Sequence, residues 1–243
     1  MPWRTVINFV NRRLDDLYPR PWLNQWHHTL GEGWKPDSPD DYCRRCGSTI
    51  HASARTQRGC AFCLRLVFPW TTLTRLTAYD PVMATWIHDL KFQGQWKLAT
   101  LLGQQLAMQI PPPANPSRTL ICPVPLHPLR QIQRGYNQSQ LLATTIGKAH
   151  RLRVISLLRK ARHTDAQSSL APTGRRSNVR GVFTAKAINL TGYDILLVDD
   201  VKTTGTTLRL CSRLLIQAGA QRVDAAVLTV ADPQQTDFQL MQG

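Results

Sequence analysis

One short segment limits the possible folds more than any other: Ile195-Leu-Leu-Val-Asp199-Asp200-Val-Lys202-Thr203-Thr204-Gly205-Thr206-Thr207-Leu208. Its unbroken apolar run reads as a strand buried on both faces. The run ends on two carboxylates, passes through a Thr/Gly turn and enters a stretch of helical periodicity. Strand, turn and helix in that order form the unit of an open α/β sheet, and such sheets bind ligands outside the carboxyl ends of their strands. The turn presents backbone N–H groups to an anion, with the positive end of the helix dipole behind them. Gly205 lets the backbone approach closely, and Thr203, Thr204, Thr206 and Thr207 add hydroxyl donors. Asp199 and Asp200 would repel a phosphate but suit the vicinal hydroxyls of a neighbouring sugar. A phosphate cradle beside a diol reader describes a site for a phosphorylated ribose. The plainer alternative is an acidic strand end followed by a Thr-rich helix cap. Neither GxxxxGK(S/T) nor GxGxxG after a strand occurs, which argues against a P-loop NTPase and a dinucleotide fold.

The surrounding sequence extends the same pattern. Residues 74–80 read as a short strand, Pro81 through about Phe92 and Lys97–Gln109 as helices, and the Pro-rich run 111–116 as a linker. From Thr119 onward strands and helices alternate: residues 119–124, a helix over Ser139–His150, a strand over 154–158, the apolar run from Asp194, a helix over Thr206–Ala218 closed by Gly219, and a last strand over Val223–Val230. This alternation predicts a parallel sheet with helices on its faces. Residues 159–180 are polar and basic and suit a long loop. Cys122 and Cys211 fall on apolar positions and read as core. All seven tryptophans precede Lys97, a compositional break between the front of the chain and the α/β region.

The other four cysteines form two knuckles, Cys43-Arg-Arg-Cys46 and Cys60-Ala-Phe-Cys63, with 13 residues between them. Two CxxC pairs at this distance can close around one tetrahedral Zn²⁺, in a spacer slightly under the more usual ~15–20. Four thiolates leave no open position, so the expected zinc is structural. A redox dithiol, free thiols, or His51 in place of one cysteine are the alternatives. Ahead of this module, residues 1–41 divide into a stretch with apolar residues at helical spacing (Val6, Ile7, Phe9, Val10, Leu14, Leu17) and a Gly/Pro/Asp-rich linker. The helix would dock on a partner or membrane surface, or pack on its own protein.

The formal net charge is +15. Residues 118–190 carry 13 Lys or Arg against a single acid, Asp165. Such a field attracts phosphates, on a small ligand or on nucleic acid, unless it is only a solvated surface. No run of 18 apolar residues occurs, so no transmembrane helix is expected. The N-terminus is broken by Asn8 and Asn11 and lacks a small-residue cleavage site, which places the expected location in the cytoplasm.

Taken together, VDDVKTTGTTL resembles the 5-phosphoribosyl-1-pyrophosphate (PRPP) signature of type I phosphoribosyltransferases. The segments Pro123-Val-Pro-Leu-His-Pro-Leu-Arg130, Arg134-Gly-Tyr-Asn-Gln-Ser139 and Lys91-Phe-Gln-Gly94, with the front cysteines, are similar to the ComF/GntX family of competence and DNA-utilisation proteins. The resemblance spans roughly residues 42–231. It implies a type I phosphoribosyltransferase fold with a central parallel sheet, over 71–243 with its core at 118–231, behind a zinc-ribbon-like module at 42–70. It implies PRPP held with Mg²⁺ by Asp199, Asp200, Lys202, Thr203, Thr204, Gly205, Thr206 and Thr207. The loop 124–130, with a cis bond as one option, would cradle the pyrophosphate through Arg130, Arg134 and Asn137. Arg134 and Asn137 have the alternative of bracing the next helix, and Lys202 that of pointing to solvent. The basic loop 159–180 would close as a lid, with Lys160, Arg162, Arg175 and Arg176 reaching pyrophosphate or nucleic acid. The implied activity is pentosyl transfer to an acceptor that the sequence does not reveal, in DNA uptake, DNA utilisation or nucleotide salvage. The alternative is a non-catalytic PRPP sensor that binds single-stranded DNA or the uptake machinery.

Overall fold

The strand that carries the acid pair lies at the heart of a five-stranded sheet. A computed structural model describes residues 34–50, 55–56, 59–61, 63–161 and 181–231. The chain divides into two compact units, Met1–Pro36 and Asp37–Gly243, and every element below belongs to the second. The expected N-terminal helix, His51, Arg162, Arg175 and Arg176 lie outside the described residues.

In chain order the elements are β1 (Arg55–Thr56), β2 (Gly59–Cys60), β3 (Leu73–Ala78), α1 (Pro81–Phe92), α2 (Trp96–Gln109), β4 (Thr119–Pro123), α3 (Pro128–Arg134), α4 (Gln138–His150), β5 (Arg153–Val154), β6 (Leu158–Lys160), β7 (Phe183–Ala185), β8 (Asp194–Lys202), α5 (Thr206–Gln217) and β9 (Arg222–Val230). The main sheet runs β3-β9-β8-β4-β5, and every pairing in it is parallel. Parallel sheets need cover on both faces. Here α4 packs on β4 and β8, α2 packs on α4 and β3, and α5 packs on β8 and β9. Residues of β8 alternate accordingly. Ile195 and Leu197 join Leu208, Cys211 and Leu215 of α5 in one apolar cluster, while the buried Leu196 and Val198 are not part of it. Each fully buried leucine contributes roughly 1.5–3 kcal/mol. Cys122 and Cys211 are core residues, as read from the sequence.

Helix α1 starts where Pro81 predicts: Asp80 caps it by accepting from the Met83 amide at 2.6 Å, and Pro81 occupies the first turn. Three boundaries differ from expectation. The strand expected over 154–158 is two strands. The last rung to the sheet is Ile155 N–H to Ile121 C=O, and the chain then leaves so that Leu157 and Leu158 bury beneath α5 with Val182 and Phe183. There β6 pairs antiparallel with β7, so Arg159 and Lys160 belong to a strand and not to the expected loop. Second, β8 continues past Val198 to Lys202, because β9 runs beside it as far as Val230. Third, residues 128–134 of the expected pyrophosphate loop form the short helix α3, started by Pro128 and ended by Gly135 at φ +75°. No cis peptide bond occurs among the described residues. No described helix is long and apolar enough to cross a membrane.

Candidate functional site

β8 delivers Asp199 and Asp200 to its C-terminal end, at the mouth of the sheet. Asp199 is buried, and its Oδ1 accepts from the Ser139 hydroxyl and from the Asp200 amide, both at 2.9 Å. Burial, with the Asp200 charge beside it, lifts the Asp199 carboxyl to about 7. Asp200 lies nearer the surface. Its Oδ2 meets Lys91 Nζ at 3.1 Å and its Oδ1 accepts from the Val201 amide at 2.8 Å. The paired carboxylates are thus anchored from two sides, one by α4 and one by the last turn of α1.

Immediately downstream, Gly205 sits in the left-handed region at φ +75° and is the N-cap of α5, where only the Thr206 amide meets a side chain, the Thr204 hydroxyl at 3.5 Å. The amides at this helix start therefore face the mouth beside Thr203–Thr207, an arrangement suited to an anion. The Thr204 and Thr206 hydroxyls lie 3.0 Å apart and are exposed. Lys202 is buried rather than solvent-facing, and its Nζ donates to Thr203 C=O at 3.5 Å. A Cβ on Gly205 would meet Lys202 Cε at 3.2 Å and Trp70 Cη2 at 3.6 Å, so the turn rests on both side chains.

Cations lie near the acid pair. Arg134 is half-buried, which disfavours its charge, while the nearby Asp200 supports it. Its guanidinium lies 5.1 Å from the Phe92 ring centroid and donates to Gln138 Oε1 at 3.4 Å. Lys160 on β6 is lowered by burial and by the Arg130 charge, and held up by Asp199, which places it within the field of the acid pair. Lys91 thus touches Asp200, Arg134 and Lys160 lie within the field of the pair, and Arg130 lies near both of those cations. Asn137 has a bracing role: its Oδ1 accepts from Ser139 N–H at 3.1 Å as the cap of α4, and its Nδ2 donates to Val124 C=O at 3.0 Å. Sequence reasoning quoted Lys91 and Ser139 inside motif segments but gave neither a role. Trp70 was missed entirely.

The four knuckle cysteines are buried and come together, every Sγ within 4.8 Å of the others. Sulfur–sulfur separations are 3.7 Å for Cys43–Cys63, 3.6 Å for Cys46–Cys60 and 3.8 Å for Cys60–Cys63. A tetrahedral site with bonds of ~2.3 Å has sulfur–sulfur edges of ~3.8 Å, so the cluster fits one metal ion such as zinc. The knuckle is bonded to the sheet. Leu73 N–H donates to Arg44 C=O at 2.6 Å and Trp70 Nε1–H to Arg45 C=O at 2.8 Å. Arg75, buried in β3, donates to Gly47 C=O and to Thr49 Oγ1 and pairs with Asp37 at 2.7 Å. Trp70 therefore has its indole N–H on the cysteine knuckle and its ring edge against the Gly205 turn.

A family model described as the phosphoribosyl transferase domain matches residues 141–241. Competence protein F of Haemophilus influenzae is 31% identical over 192 residues, spanning 75% of this chain and 81% of that protein. The chain belongs to the ComF family. The DNA utilization protein YhgH of Escherichia coli K12 is 29% identical over 189 residues, 74% of this chain and 80% of that protein. Competence protein ComFC of Bacillus subtilis is 26% identical over 141 residues, 58% of this chain and 56% of that protein. This ComF family member carries the type I phosphoribosyltransferase fold: a central parallel sheet with the acid pair and Thr/Gly turn at its mouth, and a four-cysteine module in front.

Proposed function

We propose that this chain binds PRPP at the β8–α5 turn, in a role tied to DNA uptake, DNA utilisation or nucleotide salvage. The observation that carries the reading is the juxtaposition of an acid pair held by Ser139 and Lys91 with a helix start whose N-cap is Gly205. The 5-phosphate would accept from the amides and hydroxyls of Thr203, Thr204, Gly205, Thr206 and Thr207. Asp199 and Asp200 would take the ribose hydroxyls, Asp200 exchanging its Lys91 contact for one of them. Arg130, Arg134, Lys91 and Lys160 would face the pyrophosphate, whose forked oxygens match guanidinium geometry. Lys202 is the packed base of the phosphate turn. Asn137 serves indirectly, by holding the 124–127 loop to α4.

In transfer, the C1–O bond to pyrophosphate breaks and a bond from C1 to an acceptor forms, the acceptor losing its proton. These cations would stabilise charge developing on the leaving oxygens. Among the described residues, the four cysteines are the only set of three or more metal-ligand side chains. Mg²⁺ would accordingly be held by oxygens of the diphosphate and ribose and by water, and it would supply charge neutralisation there. Zinc on Cys43, Cys46, Cys60 and Cys63 would supply a structural cross-link.

Calorimetry of the Asp199→Asn, Asp200→Asn double variant tests the site. PRPP affinity should fall at least about 100-fold, two charge-assisted hydrogen-bonding groups being lost. Unchanged affinity would reject the assignment. A second reading is a PRPP sensor that holds single-stranded DNA without turnover. It is favoured by the face where Phe68 lies between Arg45 (5.6 Å) and Arg209 (4.6 Å), next to the exposed Val67. Steady pyrophosphate release with one acceptor, followed by phosphorus NMR, supports the enzyme; PRPP binding without release supports the sensor.

A further inference from the structure

A single hydroxyl joins α4 to the buried member of the acid pair. Ser139 lies in the first turn of α4 and is itself buried, and it donates to Asp199 Oδ1 at 2.9 Å across 60 positions of chain. Its backbone is fixed on both sides. The Ser139 amide donates to Asn137 Oδ1 at 3.1 Å, Asn137 Nδ2 donates to Val124 C=O at 3.0 Å, and Gln138 Nε2 donates to Leu90 C=O at 3.2 Å. The hydroxyl is therefore preorganised toward the carboxyl it meets. Asp199 stands between opposing influences. Its burial, and then the Asp200 charge on β8, favour the protonated acid. The Ser139 hydroxyl, the Asp200 amide and Lys91 of α1 favour the carboxylate. Lys160 of β6 and Cys211 of α5 also lie within its field. Ser139 is the contribution of α4, and a hydroxyl that donates to a carboxylate favours the ionised form.

We propose that Ser139 is a positioning residue: it holds Asp199 as the carboxylate that receives the sugar, and so sets the pH above which the site takes its ligand. The inference rests on the PRPP reading and adds to it a regulation by acid. An ionised carboxyl only accepts hydrogen bonds, which suits a hydroxyl donor, whereas the protonated acid keeps a proton where that donor would enter. Binding below the titration of Asp199 therefore has to displace a proton first, and the apparent affinity falls with the ionised fraction. Ser139 touches no ligand in this scheme and acts through Asp199 alone.

Calorimetry of the full chain with PRPP and Mg²⁺, from about pH 5.5 to about pH 9, tests the role. Wild-type affinity should climb with pH and level off once Asp199 is ionised. In Ser139→Ala the bend should move up by about one pH unit, through loss of one hydrogen bond to a charged group. Affinity should then be about fivefold to tenfold weaker at about pH 6–7 and within about twofold of the wild type at about pH 9. A serine that only braced the fold would weaken binding equally at every pH. Ser139→Thr keeps the hydroxyl and should keep the wild-type bend. Ionisations of PRPP itself are common to all three chains and cancel in the comparison. NMR of carboxyl-labelled aspartate, with the Asp199 signal identified by its absence in Asp199→Asn, reads the same shift without any ligand. Parallel affinity curves for wild type and Ser139→Ala overturn the inference, as does an Asp199 signal that titrates alike in both. A bend that moves as far in Ser139→Thr as in Ser139→Ala also overturns it. No PRPP binding by the wild type at any pH would sink the PRPP reading, while an Asp199 titration that still moves in Ser139→Ala would leave the positioning role standing.

Discussion

Gly47 and Gly205 both have positive φ, +83° and +75°, yet their surroundings differ. A Cβ on Gly47 would lie 2.7 Å from Val230 Cγ2 and 2.8 Å from Leu73 Cδ2, inside the seam between the cysteine knuckle and the sheet. A Cβ on Gly205 would meet chiefly the Lys202 stem, a flexible chain. The knuckle is closed: its sulfurs are buried and its carbonyls are spent on Leu73, Trp70 and Arg75. The β8–α5 turn is open, with glycine at the helix N-cap and exposed Thr204 and Thr206. A positive-φ glycine thus serves packing in one region and access in the other. Trp70 joins them, so the closed region supports the open one and the dependence runs mainly one way.

The largest effect should come from opening the closed region. Cys60→Ser removes one of four sulfurs, and because metal binding is folding energy in such modules the loss extends beyond the ligand itself. The purified variant should lose its equivalent of bound metal, measured by elemental analysis. Its unfolding temperature should fall by about 10 °C or more, at roughly 2–4 °C per kcal/mol for a chain this size. PRPP affinity should fall too, through the loosened Arg45 carbonyl under Trp70. The Asp199→Asn, Asp200→Asn double variant should keep its metal. Full metal content and an unchanged transition in Cys60→Ser would show that the cluster is not the clamp described here.

The two glycines give a finer contrast. Gly47→Ala combines a left-handed residue, costing about 1–2 kcal/mol, with a clash against packed side chains that costs a further ~1–3 kcal/mol. Gly205→Ala carries the first cost with little of the second, because Lys202 Cε can shift. Urea unfolding should therefore show Gly47→Ala as the more destabilised by roughly 1–3 kcal/mol. PRPP affinity should show the reverse order if the Gly205 amide holds the phosphate, as proposed. Equal losses in both assays would remove the distinction between the two regions.

Regions that announce themselves in the sequence are those where one physical requirement fixes several neighbouring residues. The β8–α5 unit was legible because a strand buried on both faces, an acid pair and a Thr/Gly turn coincide within 14 residues. The cysteine cluster was legible from its spacing alone. What escaped depends on residues distant in the chain. Ser139 and Asp199 are 60 positions apart, and Lys91 reaches Asp200 only because α1 ends beside the sheet. The break between β5 and β6 follows from Leu157 and Leu158 turning under α5, a destination that no local pattern encodes. Trp70 read as one of many front-end tryptophans, and only its indole bond to Arg45 and its edge on the Gly205 turn single it out.

Asp199 offers the smallest effect and the sharpest view of the open region. Its folded carboxyl is raised to about 7, against an ordinary value near 4, chiefly by burial and then by Asp200. Between those two values the native chain holds a proton that the unfolded chain has released. The group's contribution therefore favours folding at low pH and is progressively lost as pH rises toward 7, then stays constant. Asp199→Asn keeps an Oδ1 acceptor for Ser139 and the Asp200 amide but cannot ionise. Its stability to urea should match the parent near pH 4, pull ahead as pH rises toward 7, and level off above it. A gap that ignores pH, or a less stable variant at pH 8, would mean that burial does not weigh on this carboxylate. If the divergence appears, the parent protein keeps a charge in its core at a cost in stability, which is what a residue retained to hold a ligand's hydroxyl would do.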